Sequence, residues 1–250
     1  MSKKFLLLIG IICLLPCISF AEPLKIFATD WPPYEMLENG KPAGLATELI
    51  DAVLKEMKIE YKVEFVPWKR AEAMAKGGEA DVLYSVSKKA EREEFLYYPE
   101  TPLHPSTYVF FIRKADKDKL KFNSFDDLKG HTIGITRGYT YSDDLMKFLK
   151  EQKNSDEASS DEENFKKLEK ARFNYFPCEL ANGISLLKKL GFADAITYIE
   201  KPIVEKMYYV AFAKASKNPD IKKIVDEFNK NFKAFKEKEE YKKITDKYLK

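Results

Sequence analysis

The 250-residue chain carries 43 Lys and Arg against 40 Asp and Glu, a formal net charge of +3, and 45% of it is hydrophobic. Charges of both signs are interspersed without a basic stripe, which excludes a phosphate-tracking surface and with it a nucleic-acid partner. Three cysteines and two histidines are too few for a disulfide framework or a zinc cluster, so an ordinary core must hold the fold, and no cofactor or metal is expected.

Lys3 and Lys4 precede an apolar stretch over residues 5–15, and Ser19 and Ala21 supply the small residues of a cleavage site. This is the layout of a secretory signal peptide over residues 1–21, with an apolar part too short to span a membrane comfortably. Cys13 follows Ile12 and Cys17 follows Pro16, where a lipidation signal wants a small residue. Cleavage after Ala21 and a soluble, periplasmic product are therefore expected. Cys178 then remains as a lone thiol and reads as a half-buried small hydrophobe.

Residues 24–29 are β-prone and read as a first strand, ended by Asp30-Trp31-Pro32-Pro33-Tyr34 because the prolines remove donors. Ala46, Leu49, Ile50, Val53, Leu54 and Met57 share one helical face, which predicts an amphipathic helix over 46–57. A strand over 61–66, a helix over 68–76 closed by Gly77-Gly78, and a strand over 81–86 follow. Alternating strand and helix is the grammar of a mostly parallel α/β sheet.

A second unit of the same kind starts at Ser124, which caps a helical turn ended by Gly130. A strand over 131–136, a loop over 137–140 and a helix over 141–152 come next. Residues 151–170, charged and poor in apolar side chains, read as a solvated excursion outside the core. A helix over 185–190, strands over 194–199 and 208–213, and a last helix opened by Asn218-Pro219 complete the pattern. The apolar face of that helix is Ile221, Ile224, Val225, Phe228, Phe232 and Phe235.

Five fragments in order, IFATDWPPY (26–34), GLATELIDAVL (44–54), DVLYSVSKKAER (81–92), DLKGHTIGITRG (127–138) and YVAFAK (209–214), resemble the bacterial extracellular solute-binding proteins of family 3. The resemblance implies a two-lobed periplasmic-binding-protein fold of type II, α/β, each lobe a mostly parallel sheet flanked by helices, with two hinge crossings. Lobe one would comprise residues 22–103 plus 209–250, and lobe two residues 108–204. It further implies a monomer that captures a small polar, carboxylate-bearing molecule by closing its lobes and hands it to an inner-membrane ABC permease. A sensory partner and, on the same fold, an exported dehydratase-like enzyme are the alternatives. For catalysis only Asp30, Glu200 and His104 offer acid–base chemistry, and no enzyme is expected.

The same resemblance gives the candidate ligand-binding residues. Arg92 matches the carboxylate-binding arginine, and a guanidinium suits that role because its paired donors fit two carboxylate oxygens. Left to itself, Arg92 reads as one charge on a solvated helix; as a cleft residue it is expected to carry little of the fold's stability. Ser85 and Ser87 match strand-end positions that offer backbone and hydroxyl groups. Thr140 stands just before the helix over 141–152, where free N–H groups and a hydroxyl can meet an anion, or where Thr simply caps. Trp31, Tyr34 and Trp68 match aromatics that pack on the ligand, with core packing as the competing role. Asp30 matches a strand-end acid reaching the cleft, or else forms the turn, and Arg70 is a possible second cation. Counting from Asp194, the lobe-two position that holds an ammonium-binding Asp in amino-acid binders is Ile199, which argues against an α-amino group.

Overall fold

The computed structural model describes residues 22–249; the signal-peptide reading lies outside them. The first unit opens with β1 (Leu24–Ala28), a short hairpin of β2 (Met36–Glu38) and β3 (Lys41–Ala43), and α1 (Leu45–Glu56). It continues through β4 (Tyr61–Phe65), α2 (Trp68–Gly77), β5 (Val82–Ser87), α3 (Ala90–Glu93) and β6 (Leu96–Tyr97). A long strand, β7 (His104–Arg113), leads to β8 (Ile133–Thr136), α4 (Asp143–Gln152), β9 (Ser155–Ala158), α5 (Asp161–Glu169), β10 (Phe176–Glu179), α6 (Leu180–Leu190) and β11 (Ile196–Tyr198). The second long strand, β12 (Val204–Ala213), returns to α7 (Ile221–Phe235) and α8 (Glu239–Leu249).

Strands joined by helices pair parallel, as β1 does with β4 and β5, and β8 with β9; such neighbours need a crossover between them. The two long strands run antiparallel. The first half of each pairs with the other, Val204–Tyr208 against His104–Tyr108. Beyond that stretch β12 joins β5 and β6, while β7 joins β10 and β11. A single eight-stranded sheet thus runs from one α/β unit into the other, and the chain crosses twice.

The predicted periodicities settle most of the packing. Leu49, Ile50, Val53 and Leu54 of α1 and all six apolar positions of α7 are buried, at about 1.5–3 kcal/mol per large apolar side chain removed from water. Gly78 ends α2 in the left-handed conformation, and Ser124 with Asp127 forms a capping box on a 3-10 turn over Phe125–Leu128.

Three expectations are corrected. The charged segment 151–170 is not a solvated excursion: it holds β9, paired with β8, and α5. Phe165 and Leu168 of α5 are fully buried, and its polar inner residues hydrogen-bond to their surroundings, Thr136 Oγ1 donating to Asp161 at 2.5 Å and Asn164 Nδ2 donating to Thr136 Oγ1 at 3.0 Å. The helix expected from 141 begins at Asp143 with Ser142 as its cap, because Tyr141 turns inward and its hydroxyl accepts the Thr136 N–H at 2.9 Å. Cys178 is buried outright, its Sγ 3.7 Å from Asp161.

Candidate functional site

The crossing strands carry aromatic residues that build one side of a cavity. Tyr208 faces His104 in register, and the Tyr108 and Tyr208 hydroxyls hydrogen-bond at 2.7 Å. Trp31, on the turn after β1, packs on Tyr208 with ring centres 5.0 Å apart. That turn is closed by Trp31 N–H donating to the Glu35 carbonyl at 2.7 Å and Glu35 N–H donating to the Trp31 carbonyl at 3.1 Å. Glu35 is thereby brought into the wall beside Trp31, and both line the cavity with Tyr108 and Tyr208.

The opposite side comes from β5, α2 and the segment around α3. Ser85 sits in β5 with φ of 54°, a left-handed conformation uncommon for a non-glycine residue, and the pairing register with β12 shifts beside it. Its hydroxyl lies 3.4 Å from His104 Nε2. Arg92 is not a solvated helix residue: only 7% of it is exposed. One guanidinium NH donates to the Ser87 hydroxyl at 2.6 Å and the Ser87 carbonyl at 3.1 Å, and the group lies 4.6 Å from the Trp68 ring centre. Arg92 Nε is 3.6 Å from Glu72.

Six of the eight residues anticipated from sequence therefore line one cavity: Trp31, Trp68, Ser85, Ser87, Arg92 and Thr140. Its free volume is about 50 Å³. It continues past Ser87 and Thr140 into a groove of about 820 Å³ bearing Lys89 and Lys206, and past Thr29, Trp68 and Tyr139 into one of about 630 Å³. Asp30 and Arg70 are exposed and belong to that second groove. Tyr34 lies behind the wall, stacked on His104 at 4.0 Å, its hydroxyl donating to Glu179 Oε1 at 3.0 Å. Thr140 reaches the cavity from a loop and not from a helix start; its carbonyl and that of Tyr141 accept from Lys206 Nζ at 2.6 and 2.5 Å. Burial first, then the charges of Lys89 and Arg92, holds Lys206 down at about 8.

Sequence reasoning missed Thr29, Glu35, Tyr108, Tyr139 and Tyr208 on the lining. The tyrosines at 108 and 208 adjoin the expected crossings, a signal that was present; Glu35 gave none. Ile199 follows β11, which pairs with β7 only at Phe111–Arg113, and it packs in the apolar core away from the lining. The acid that does approach the crossing is Glu179, at the end of β10 and opposite Tyr108.

Glu179 is 3% exposed and uses both oxygens, Oε1 for Tyr34 and Oε2 for the Asn182 N–H at 2.8 Å, where it caps α6. Burial dominates and pushes its carboxyl up from 4.5 to about 7, against the pull of those hydrogen bonds. The folded chain then holds this proton more tightly than the unfolded chain, so the associated stability is full below pH 4.5 and is lost as pH rises through 7. Glu179→Gln is expected to gain on the wild type between pH 5 and pH 8 by up to about 3 kcal/mol, read by urea denaturation at both pH values. His104, kept neutral by burial and down at about 4, loses stability over the acid range in both proteins and cancels in the comparison. A difference that does not change with pH would sink the assignment.

Comparison with known proteins places this geometry. The model of the bacterial extracellular solute-binding proteins, family 3, matches residues 25–250. An arginine-binding periplasmic protein of Mannheimia haemolytica is 26% identical over 234 residues, covering 92% of each chain. A probable amino-acid-binding protein, YxeM, of Bacillus subtilis (strain 168) is 26% identical over 224 residues, covering 87% of this chain and 80% of its own. Among solved structures, a histidine kinase sensor domain similar to periplasmic binding proteins superposes with a TM-score of 0.79 at 19% identity, covering 92% of this chain and 96% of its own. An ancestral arginine-binding protein bound to arginine also gives 0.79 at 19%, covering 91% and 98%. The fold is the type II periplasmic-binding-protein fold, and the chain belongs to the bacterial extracellular solute-binding proteins, family 3.

Proposed function

We propose that this family 3 solute-binding protein captures a small carboxylate-bearing molecule, an amino acid or a relative of one, by closing two lobes over it. The observation that carries this reading is Arg92, a buried guanidinium held against Ser87 and Trp68 at the wall of a cavity. The paired donors of a guanidinium match the two oxygens of a carboxylate, and an aromatic wall that keeps water off one side strengthens that attraction. The names of the two relatives, an arginine-binding periplasmic protein and a probable amino-acid-binding protein, support the same class.

Lobe one, residues 22–103 plus 209–250, supplies Trp31, Trp68, Ser85, Ser87 and Arg92; lobe two, residues 108–204, supplies Tyr139 and Thr140. A ligand touching both favours the closed arrangement over the open one by its differential contacts. In this reading the protein works in the periplasm after cleavage at Ala21, as a binding component and not an enzyme, serving an ABC permease. A sensory partner is the second reading, favoured by the similarity to a kinase sensor domain.

Native mass spectrometry of the exported protein is expected to show a chain beginning at Glu22 that carries a small carboxylic acid. Adding that acid to stripped protein is expected to lower the radius of gyration in X-ray scattering. A profile unchanged at saturation removes lobe closure, and a co-purifying molecule without a carboxylate removes the ligand class.

A further inference from the structure

Three polar atoms on the cavity-lining side chains have no hydrogen-bond partner among the described residues: Glu35 Oε2 and the indole Nε1 of Trp31 and of Trp68, all buried. A buried polar atom left unmatched costs stability, and a wall that keeps one acceptor and two donors unmatched is set for a ligand carrying the complements. Glu35 is 3% exposed and its carboxyl forms no ion pair among the described residues, although Arg92 lines the same cavity. One acid and one guanidinium thus face a common space without neutralising each other.

The other acids near the crossing are already committed or point elsewhere. Glu179 has given one oxygen to Tyr34 and the other to α6, and Asp161 is bonded to Thr136 and Asn182. Asp30 is exposed in the adjoining groove. We propose that Glu35 is the acceptor for a cationic N–H group of the ligand, an ammonium or a guanidinium, and that binding there releases a proton from its carboxyl to solvent. The proposal rests on the carboxylate reading of Arg92, which anchors the other end of the same molecule.

The proton balance follows from the surroundings. In the empty cavity burial holds the Glu35 carboxyl well above 4.5; the Thr29 backbone N–H opposes this, and the charge of Asp30 adds to it. Tyr84 and Tyr139, the ionisable side chains from β5 and from the loop before α4, have their ionisation disfavoured first by burial and further by Glu35, and remain neutral. In the empty site burial therefore favours the neutral form of this acid. A cation arriving within bonding distance favours the ionised form, the O–H bond breaks heterolytically, and the proton leaves to buffer. The ligand's charges stay as they were, so uptake of one zwitterion is balanced by loss of one proton.

Calorimetry on the mature chain, with the proteinogenic amino acids set against propionate, pentanoate and hexanoate, tests this. The tightest-binding amino acid is expected to exceed every plain carboxylate by at least a hundredfold. Its binding enthalpy at pH 7 should differ between phosphate and Tris by the release of about one proton. In Glu35→Gln the preference should fall below tenfold and the buffer dependence should vanish; wild-type buffer dependence can be read even if that variant folds poorly. An undiminished preference in a folded Glu35→Gln, no proton release in the wild type, or no amino acid bound better than a plain carboxylate overturns the proposal. Failure of the underlying reading is separate: Arg92→Ala would then bind amino acids and hexanoate alike as the wild type does.

Discussion

Arg92→Ala is expected to weaken binding of the carboxylate ligand by about 2–5 kcal/mol, the loss typical of truncating one partner of a desolvated, hydrogen-bonded charge pair. Much of that loss comes from leaving the carboxylate without donors inside a wall of Trp31, Trp68 and Tyr208. The structure also alters the expectation for folding. A cleft arginine idle in the empty protein would cost nothing on removal, but Arg92 holds the Ser87 hydroxyl at 2.6 Å and stacks over Trp68 at 4.6 Å. Its loss leaves the Ser87 hydroxyl without this donor, the Ser87 carbonyl with Tyr98 at 3.3 Å, and one face of an indole uncovered, so stability is expected to fall by about 1–3 kcal/mol. Arg92→Lys should keep the charge and part of the ring contact but lose the two-pronged fit, recovering only some of the affinity. Calorimetric titration and thermal melts of both variants separate the effects. Wild-type affinity in Arg92→Ala would remove the carboxylate site, and affinity lost only in proportion to unfolded protein would make Arg92 purely structural.

The elements that sequence made legible are those whose signal is local. α1 and α7 declare themselves because their buried positions recur at helical spacing, and Gly78 and Ser124 mark ends by their own backbone chemistry. What stayed hidden depends on partners far along the chain. β10 contains Pro177, which has no N–H to give a ladder and demotes a strand in any local reading, yet it pairs with Phe110 from β7. α5 looks solvated because only Phe165 and Leu168 are apolar, and the rest of its inner face is Asp161 and Asn164, which hydrogen-bond to Thr136 and, for Asp161, Asn182. The site shows the same division. Arg92, Ser87 and Trp68 were found through a resemblance carried by ordered fragments, whereas Glu35 is an unremarkable acid in a turn until the fold sets it beside a cavity lined by residues 108 and 208. Ile199, the position counted from Asp194, packs in the core off the lining, and of β10 and β11, which both pair with β7, only β10 ends at the crossing.

Gly44→Ala is expected to cost more than about 3 kcal/mol and to impair binding together with stability, because one glycine joins α1 to the turn that carries the site. Gly44 caps α1 at φ 115°, a conformation that side chains resist. The first N–H groups of α1 find acceptors outside the helix: Leu45 N–H donates to the Pro33 carbonyl at 2.9 Å and Ala46 N–H to the Tyr34 carbonyl at 2.8 Å. Those carbonyls belong to the turn that positions Trp31 and Glu35. A methyl group on residue 44 would sit 2.6 Å from the Tyr34 carbonyl carbon and 2.9 Å from the Glu35 nitrogen. Both neighbours are backbone and cannot rotate away, so either the helix start or the turn must shift, breaking the hydrogen bonds between them and moving the cavity wall. Gly40 supplies the control. It too has a positive φ, 75°, but a methyl group there meets nothing within 4 Å, so Gly40→Ala should show only the conformational cost of about 1 kcal/mol and bind normally. Urea denaturation and ligand titration of the two variants side by side give the answer. Equal, small losses in both would mean that the contact between Gly44 and the Tyr34 carbonyl does not hold the turn, and that the wall bearing Trp31 and Glu35 is fixed by other contacts.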